Sequence, residues 1–409
     1  MELLATDVIQ TPRDIRRLVG TFHVLAGMLY GEVDWIDLLA YSALLIKAPG
    51  TIAKMRRDPD EFSDDIISER AMARLARDEK QSPDERFGEL IPSHELNDGT
   101  RKLIEFLFPA LSGAANQTAD HPDALHKRRP LLSTLRLGLL PGAYSREEIQ
   151  TLFMDEPDAI KSKLQRAYND GVIDPLTDRI DDLYDELPSI QGVPFWRGIA
   201  AFAAKPDCVW ITAYNPMHEK IYNFAEILEG AVGRNKSYRD IAVKIFSQLK
   251  SDGENELVAL WLRTHVFAHN LFGNRSDQGR NTDKWFLNAS QTEAMTRELA
   301  ATWRSQHLSG KLIPCRWDLQ PVYTMVEMNV WDEPCRNLLD ELLDDNDALD
   351  GFTLMLYGGP YSTGRDTIGK MCDLSRYLER AKARLKPDTD IDPSVRTALQ
   401  KFVGRGAYG

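Results

Sequence analysis

Cysteine is scarce in this sequence. Cys208, Cys315, Cys335 and Cys372 stand far apart in the chain, and no Cys-x-x-Cys pair occurs. That spacing excludes a disulfide framework or a zinc ribbon and suits free, buried thiols in a reducing cytoplasm. Long apolar runs are missing as well. The most apolar, Trp35 to Ile46, is too short to cross a bilayer and carries Asp37. Glu2, Asp7 and Arg13 break any apolar stretch near the start, which leaves no secretory signal. Positive charge is in deficit: 50 Lys and Arg face 62 Asp and Glu, a net charge of -12. A uniform acid excess argues against nucleic acid as the partner of the whole chain. The expectation is a cytoplasmic protein without a membrane partner.

Strand signals are also few. Cys208 to Thr212 and Phe352 to Tyr357 are the best, and the strand–helix alternation of a doubly wound sheet is absent. What the sequence does have is helical period. Thr11 can cap a helix that Pro12 opens, and Ile15, Leu18, Val19, Phe22 and Leu25 follow on one face. A second helix is expected from Asp34 to about Lys47. One more is expected around Ile66 to Arg77, and another ends in Leu103 to Pro109. Lys80 to Glu85 reads as a linker or mobile loop, and Ser145-Arg146-Glu147-Glu148 as a capping box. Further helices are expected at 159–169, 193–204, 217–230, 238–250, 254–272, 290–307, 333–344, 366–386 and 393–404. The fold class is mainly α, a multi-helix array with at most a few short strands, with room for a small mixed domain near 130–155. With 409 residues and 43% of them hydrophobic, two or three domains fit the length. The divisions expected are a lid-like segment at 1–70, a helical or mixed segment with a charged linker at 71–156, and a C-terminal helical domain at 157–409.

Several stretches resemble chemical motifs. Gly364-Arg365-Asp366-Thr367-Ile368-Gly369-Lys370-Met371 is one residue short of a phosphate-binding loop. Met371 stands where the Mg²⁺-binding hydroxyl belongs, and no later strand ends in a metal-binding Asp, so the stretch reads as a turn and helix start. His265 and His269 share a helix face, but Val266 replaces the catalytic Glu of a zinc protease; they are the weak metal candidates beside an apolar stripe. Asp388-Thr389-Asp390-Ile391-Asp392 starts like a calcium loop and then fails twice, at Pro393 and Leu399. Asp392 is better read as the cap of a terminal helix. The acids from Asp340 to Asp345 read as a solvated helix face. No G-x-S-x-G nucleophile elbow occurs. Lys127, Arg128 and Arg129 form a short basic cluster, a possible anion contact or simply a solvated run.

Two N-terminal stretches carry a family likeness. Thr11-Pro12-Arg13-Asp14-Ile15-Arg16-Arg17-Leu18, then Glu32-Val33-Asp34-Trp35-Ile36-Asp37-Leu38-Leu39-Ala40, resemble the segment after the ATPase core in KAP-family P-loop NTPases. Phe106 to Pro109, Leu135 to Gly138 and Tyr144 to Ile149 continue the likeness in order, over roughly the first 155 residues. The resemblance implies a helical lid whose arginine senses nucleotide phosphate. Arg13 is then the leading sensor, with Arg16 or Arg17 one turn on as alternatives; a planar guanidinium suits phosphate contact. Periodicity alone gives those three arginines a solvated face.

The family's phosphate loop and metal-binding Asp would precede Thr11. The chain is therefore expected to be the C-terminal part of a longer protein, with no catalytic residue of its own. The implied parent is an ATPase using ATP and Mg²⁺, of a kind found in bacterial antiviral defence. The implied partner is the N-terminal NTPase core of the same protein, with a further protein partner or a homo-oligomer. The alternatives are a stand-alone helical protein-binding scaffold, or an enzyme with a non-local metal site around His265 and His269.

Overall fold

The computed structural model describes residue 9 and residues 11–65, 82–112, 121–204, 217–253, 256–273, 284–310, 319–358, 363–386 and 391–404. Among these residues there are helices and turns but no strand, so the chain is mainly α. It divides into two compact units, Met1–Thr151 and Leu152–Gly409. The expected boundary at residue 70 lies outside the described residues.

The first unit is built on capped helices. Helix α1 (Pro12–Met28) starts as the sequence predicts, with the Thr11 hydroxyl accepting the Asp14 N–H at 3.1 Å. It buries only Leu18 and Leu25. Helix α2 (Trp35–Lys47) opens on the Asp34 carboxylate, which accepts the N–H groups of Ile36 and Asp37. It buries Leu38 and the whole run Ala40 to Leu44, forming the spine of the core. Helix α3 (Pro49–Arg57) has no capping side chain of its own; the buried Glu95 supplies one from a distance.

From Ser82 on, helix α4 (Pro83–Leu90) corrects the linker expected at 80–85, of which residues 80 and 81 lie outside the described residues. Ser82 and Glu85 make a capping box there, a Ser-x-x-Glu signal that the neighbouring charges obscure. Helices α5 (Asp98–Leu107), α6 (Arg128–Arg136) and α7 (Arg146–Met154) complete the set. The capping box at Ser145 and Glu148 is present. No mixed domain forms at 130–155, because α6 and α7 occupy that stretch.

The second unit holds thirteen α-helices among the described residues. The first is α8 (Pro157–Asn169), followed by α9 (Ile173–Leu183) and α10 (Gly192–Ala203). Next come α11 (Met217–Arg234), α12 (Tyr238–Asp252), α13 (Glu256–Ala268) and α14 (Ala289–Leu308). Then follow α15 (Gln320–Glu327), α16 (Glu333–Leu342), α17 (Asn346–Tyr357), α18 (Arg365–Met371), α19 (Leu374–Arg384) and α20 (Pro393–Gly404). At its centre, the Trp196 indole donates to the Tyr184 hydroxyl at 2.7 Å and packs edge-on against Trp261, ring centroids 5.2 Å apart.

Two expectations here are corrected. Phe352 to Tyr357 is helix, not strand. It belongs to α17, whose first turn is capped by Asp345 and which is buried nearly all round. A short apolar run surrounded by core gives no amphipathic period, so pattern alone cannot tell it from a buried strand. The helix expected over 366–386 is two, because Cys372 is extended and Asp373 caps a fresh start. The stretch Cys208 to Thr212 and the helix expected at 66–77 lie outside the described residues. Helices α3, α6, α9 and α15 were not anticipated.

Candidate functional site

In the first unit the turn between α1 and α2 gathers buried charge. Glu32 and Asp123 are almost fully enclosed. Arg129 reaches Glu32 at 3.3 Å and Asp123 at 2.7 Å, while Arg146 pairs with the other oxygen of Asp123. The Arg146 backbone N–H donates to Glu32 at 2.7 Å. Two further bonds tie the segments together. The Asp34 N–H donates to the Asp123 carbonyl at 2.9 Å, and the Leu125 N–H donates to the Asp37 carboxylate at 2.7 Å. Gly31 makes the turn possible: its φ is +75°, and a Cβ there would touch the Arg146 side chain at 3.4 Å.

Burial pushes the Asp37 carboxyl up to about 6, against the opposing pull of the Leu125 N–H. The network fixes the walls of a cleft of about 440 Å³, lined by the buried side chains of Leu29, Val33 and Leu38 and by Asp34, His121 and Arg146. Tyr30 and Trp35 line it too, and they stay 91% and 59% exposed. Sequence reasoning did not find this site. Its charged members come from segments up to 114 positions apart, and Arg146 signals only a helix start.

Comparison with family models, with curated proteins and with solved structures finds no match.

The sequence-derived candidates fall in different places. Arg13, Arg16 and Arg17 all project from the exposed side of α1 and make no ion pair among the described residues. Between them Asp14 turns the other way to meet Lys47 at 2.9 Å. In the basic cluster, Arg128 pairs with Asp60 at 2.9 Å and its backbone N–H donates to Asp65 at 3.0 Å. Arg129 belongs to the Glu32 and Asp123 network, and Lys127 lies near Asp64, a carboxyl that burial raises.

In the second unit, His265 lies in the last turn of α13 and His269 one residue past its end, ring centroids 6.3 Å apart. The Nδ1 of His265 meets the Trp261 carbonyl at 2.6 Å, and the Nε2 of His269 meets the Leu287 carbonyl at 2.8 Å. His265 is completely buried among Trp285, Phe286 and Glu229. Each imidazole thus has one nitrogen committed to a backbone carbonyl, and no group of three or more metal-ligating side chains forms among the described residues. In the Gly364 to Met371 stretch, Gly364 caps α18 and the following residues are helical. Their N–H groups run along a helix instead of cradling a phosphate.

Proposed function

We propose that this chain is the regulatory and interaction region of a KAP-type P-loop NTPase, in which α1 is a lid that reads nucleotide state. One observation carries the reading. Helix α1 is anchored by Leu18, Leu25 and the Asp14–Lys47 pair, and its opposite side is left to Arg13, Arg16 and Arg17 beside exposed Ile15, Val19, Val24 and Met28. Exposed apolar residues in that number suit a surface that docks against protein. Three guanidiniums along its first turns suit contact with an anion such as a phosphate. ATP and Mg²⁺ would be held by the NTPase core, and the lid would supply only the sensing arginine. A role in antiviral defence belongs to the same proposal.

The test joins the chain to the reading frame that precedes it. That frame should encode a complete phosphate loop and a metal-binding Asp; a frame without them sinks the proposal. In the joined protein Arg13→Ala should lower ATP hydrolysis roughly a hundredfold or more, as removal of a phosphate-contacting arginine does elsewhere. The chain alone should hydrolyse no ATP. Hydrolysis by the chain alone that is lost in Lys370→Ala would assign the chemistry to the Gly364 to Met371 stretch instead.

The same exposed side of α1 also supports a plain protein-binding scaffold. In that case Arg13→Ala would leave hydrolysis unchanged, while Val19→Asp and Val24→Asp would release a bound protein.

A further inference from the structure

The cleft at the start of α2 has a composition that the lid reading does not use. Two of its exposed members are aromatic. Tyr30 and Trp35 stand 91% and 59% exposed on the rim of a cleft whose inner wall, Leu29 and Leu38, is buried. Beside them Asp34 spends one carboxylate oxygen on the N–H groups of Ile36 and Asp37, at 2.8 Å and 3.2 Å. The other oxygen accepts no hydrogen bond among the described residues. Of the charged groups that line the cleft, Asp34 and Asp123 outnumber Arg146, so with His121 neutral the lining carries one excess negative charge. The Arg146 guanidinium is held by Asp123 and by the Gly31 carbonyl, and does not serve an incoming anion.

Aromatic faces beside a partly unsatisfied carboxylate are the chemistry of cation recognition. A guanidinium fits better than an ammonium, because its plane stacks on a ring while its edge donates to a carboxylate. Exposed Met28 and Ile36 lie close by in the chain, and they offer apolar surface to residues flanking the cation.

We infer that this cleft binds an arginine side chain of a partner polypeptide, stacked against Tyr30 and Trp35 and hydrogen-bonded to Asp34. The occupant is an arginine flanked by apolar residues. The inference does not depend on the NTPase reading, since it uses neither the α1 arginines nor a nucleotide.

The experiment uses the full chain and two blocked tripeptides, leucine–arginine–leucine and its citrulline counterpart, which keeps the shape and loses the charge. Binding is read by calorimetry at low salt. The arginine peptide should bind at least about fivefold more tightly than the citrulline one, and Trp35→Ala should cost about fivefold, the scale of one exposed cation–aromatic contact. Asp34→Asn is the sharper variant. Asparagine caps helices as well as aspartate does, so the fold stays intact while the carboxylate charge goes. It should weaken the preference for arginine over citrulline, leaving only the share that the rings supply. Far-UV dichroism checks that both variants remain folded. Equal binding of the two peptides, absence of binding, or an unchanged preference in Asp34→Asn would each overturn the inference.

Discussion

Glu95 and Gly50 meet as a cap and the helix it caps. The Gly50 N–H donates to one oxygen of the buried Glu95 carboxylate at 2.7 Å, and the N–H and hydroxyl of Thr51 both donate to the other at 2.8 Å. The N-terminus of α3 is thereby satisfied by a residue 45 positions away.

Removing either side of that contact should be costly. Burial works to raise the Glu95 carboxyl, yet the bonds from Gly50 and Thr51 overcome it and hold it below the usual range. Its contribution is therefore present above the unfolded-state value of 4.5 and is lost as pH falls through the lower folded-state value. Glu95→Ala should destabilise the first unit by about 2–3 kcal/mol at neutral pH, because it strands buried donors. Gly50→Ala should destabilise it too, since the new Cβ would sit 2.8 Å from the Glu95 oxygen and 2.9 Å from the Pro92 ring. Hydrogen exchange of α3 amides would show both effects, and unchanged protection would refute the capping role.

Asp37 predicts the opposite sign of pH dependence. Its carboxyl titrates near 6 in the fold and near 3.8 unfolded, so between those values the native state holds the extra proton. Stability from this group is lost as pH rises through that window. Asp37→Asn keeps an acceptor for the Leu125 N–H and removes the buried charge. At pH 8 the variant should be more stable than the parent by about 1–2 kcal/mol, with the advantage gone at pH 4. The check is urea unfolding followed by far-UV dichroism.

His265 gives an acid-sensitive element in the second unit. Burial is the main cause that lowers its pKa from 6.5 to about 3, helped by His269 and Lys284 and opposed by the Trp261 carbonyl. The unfolded chain binds the proton that the fold refuses, so stability falls as pH drops below 6.5. The slope should approach about 1.4 kcal/mol per pH unit between pH 6 and 4. His265→Gln should flatten that slope even where it lowers stability overall. A slope equal to the parent's would show that another group is responsible.

Gly198 should tolerate no side chain. A Cβ there would lie 2.6 Å from both the Cβ and the Cγ2 of Ile160, where α10 crosses α8. No rotamer of Ile160 moves its Cβ, so the helices must separate. Gly198→Ala is expected to cost about 1–3 kcal/mol or more. A melting temperature within a degree of the parent's would contradict the close crossing.

The parts of this fold legible from the sequence are those specified locally. Thr11, Asp34, Ser145 and Asp392 each announce a helix within three residues, and each caps one. The parts that stayed hidden depend on distant partners. Nothing near Pro49 indicates that α3 is capped by Glu95, and nothing near Glu32 points to Arg146. The run Phe352 to Tyr357 misled because complete burial erases the polar face that reveals a helix. The arginines of α1 were singled out by the family likeness, and their solvated side was legible from periodicity; the Tyr30 and Trp35 cleft needed the turn to be closed first.

Trp35 has one more consequence, for how this molecule is watched. It is the only tryptophan in residues 1–151 and is well exposed, whereas Trp196, Trp261 and Trp303 of the second unit are fully buried. Indole emission shifts when a buried ring meets water, and an indole already in water has little shift left to give. A denaturation curve followed by tryptophan fluorescence will therefore trace the second unit and leave the first nearly silent. Changes at Glu95, Gly50 or Asp37 would look harmless by that signal, even in a chain whose first unit had already come apart.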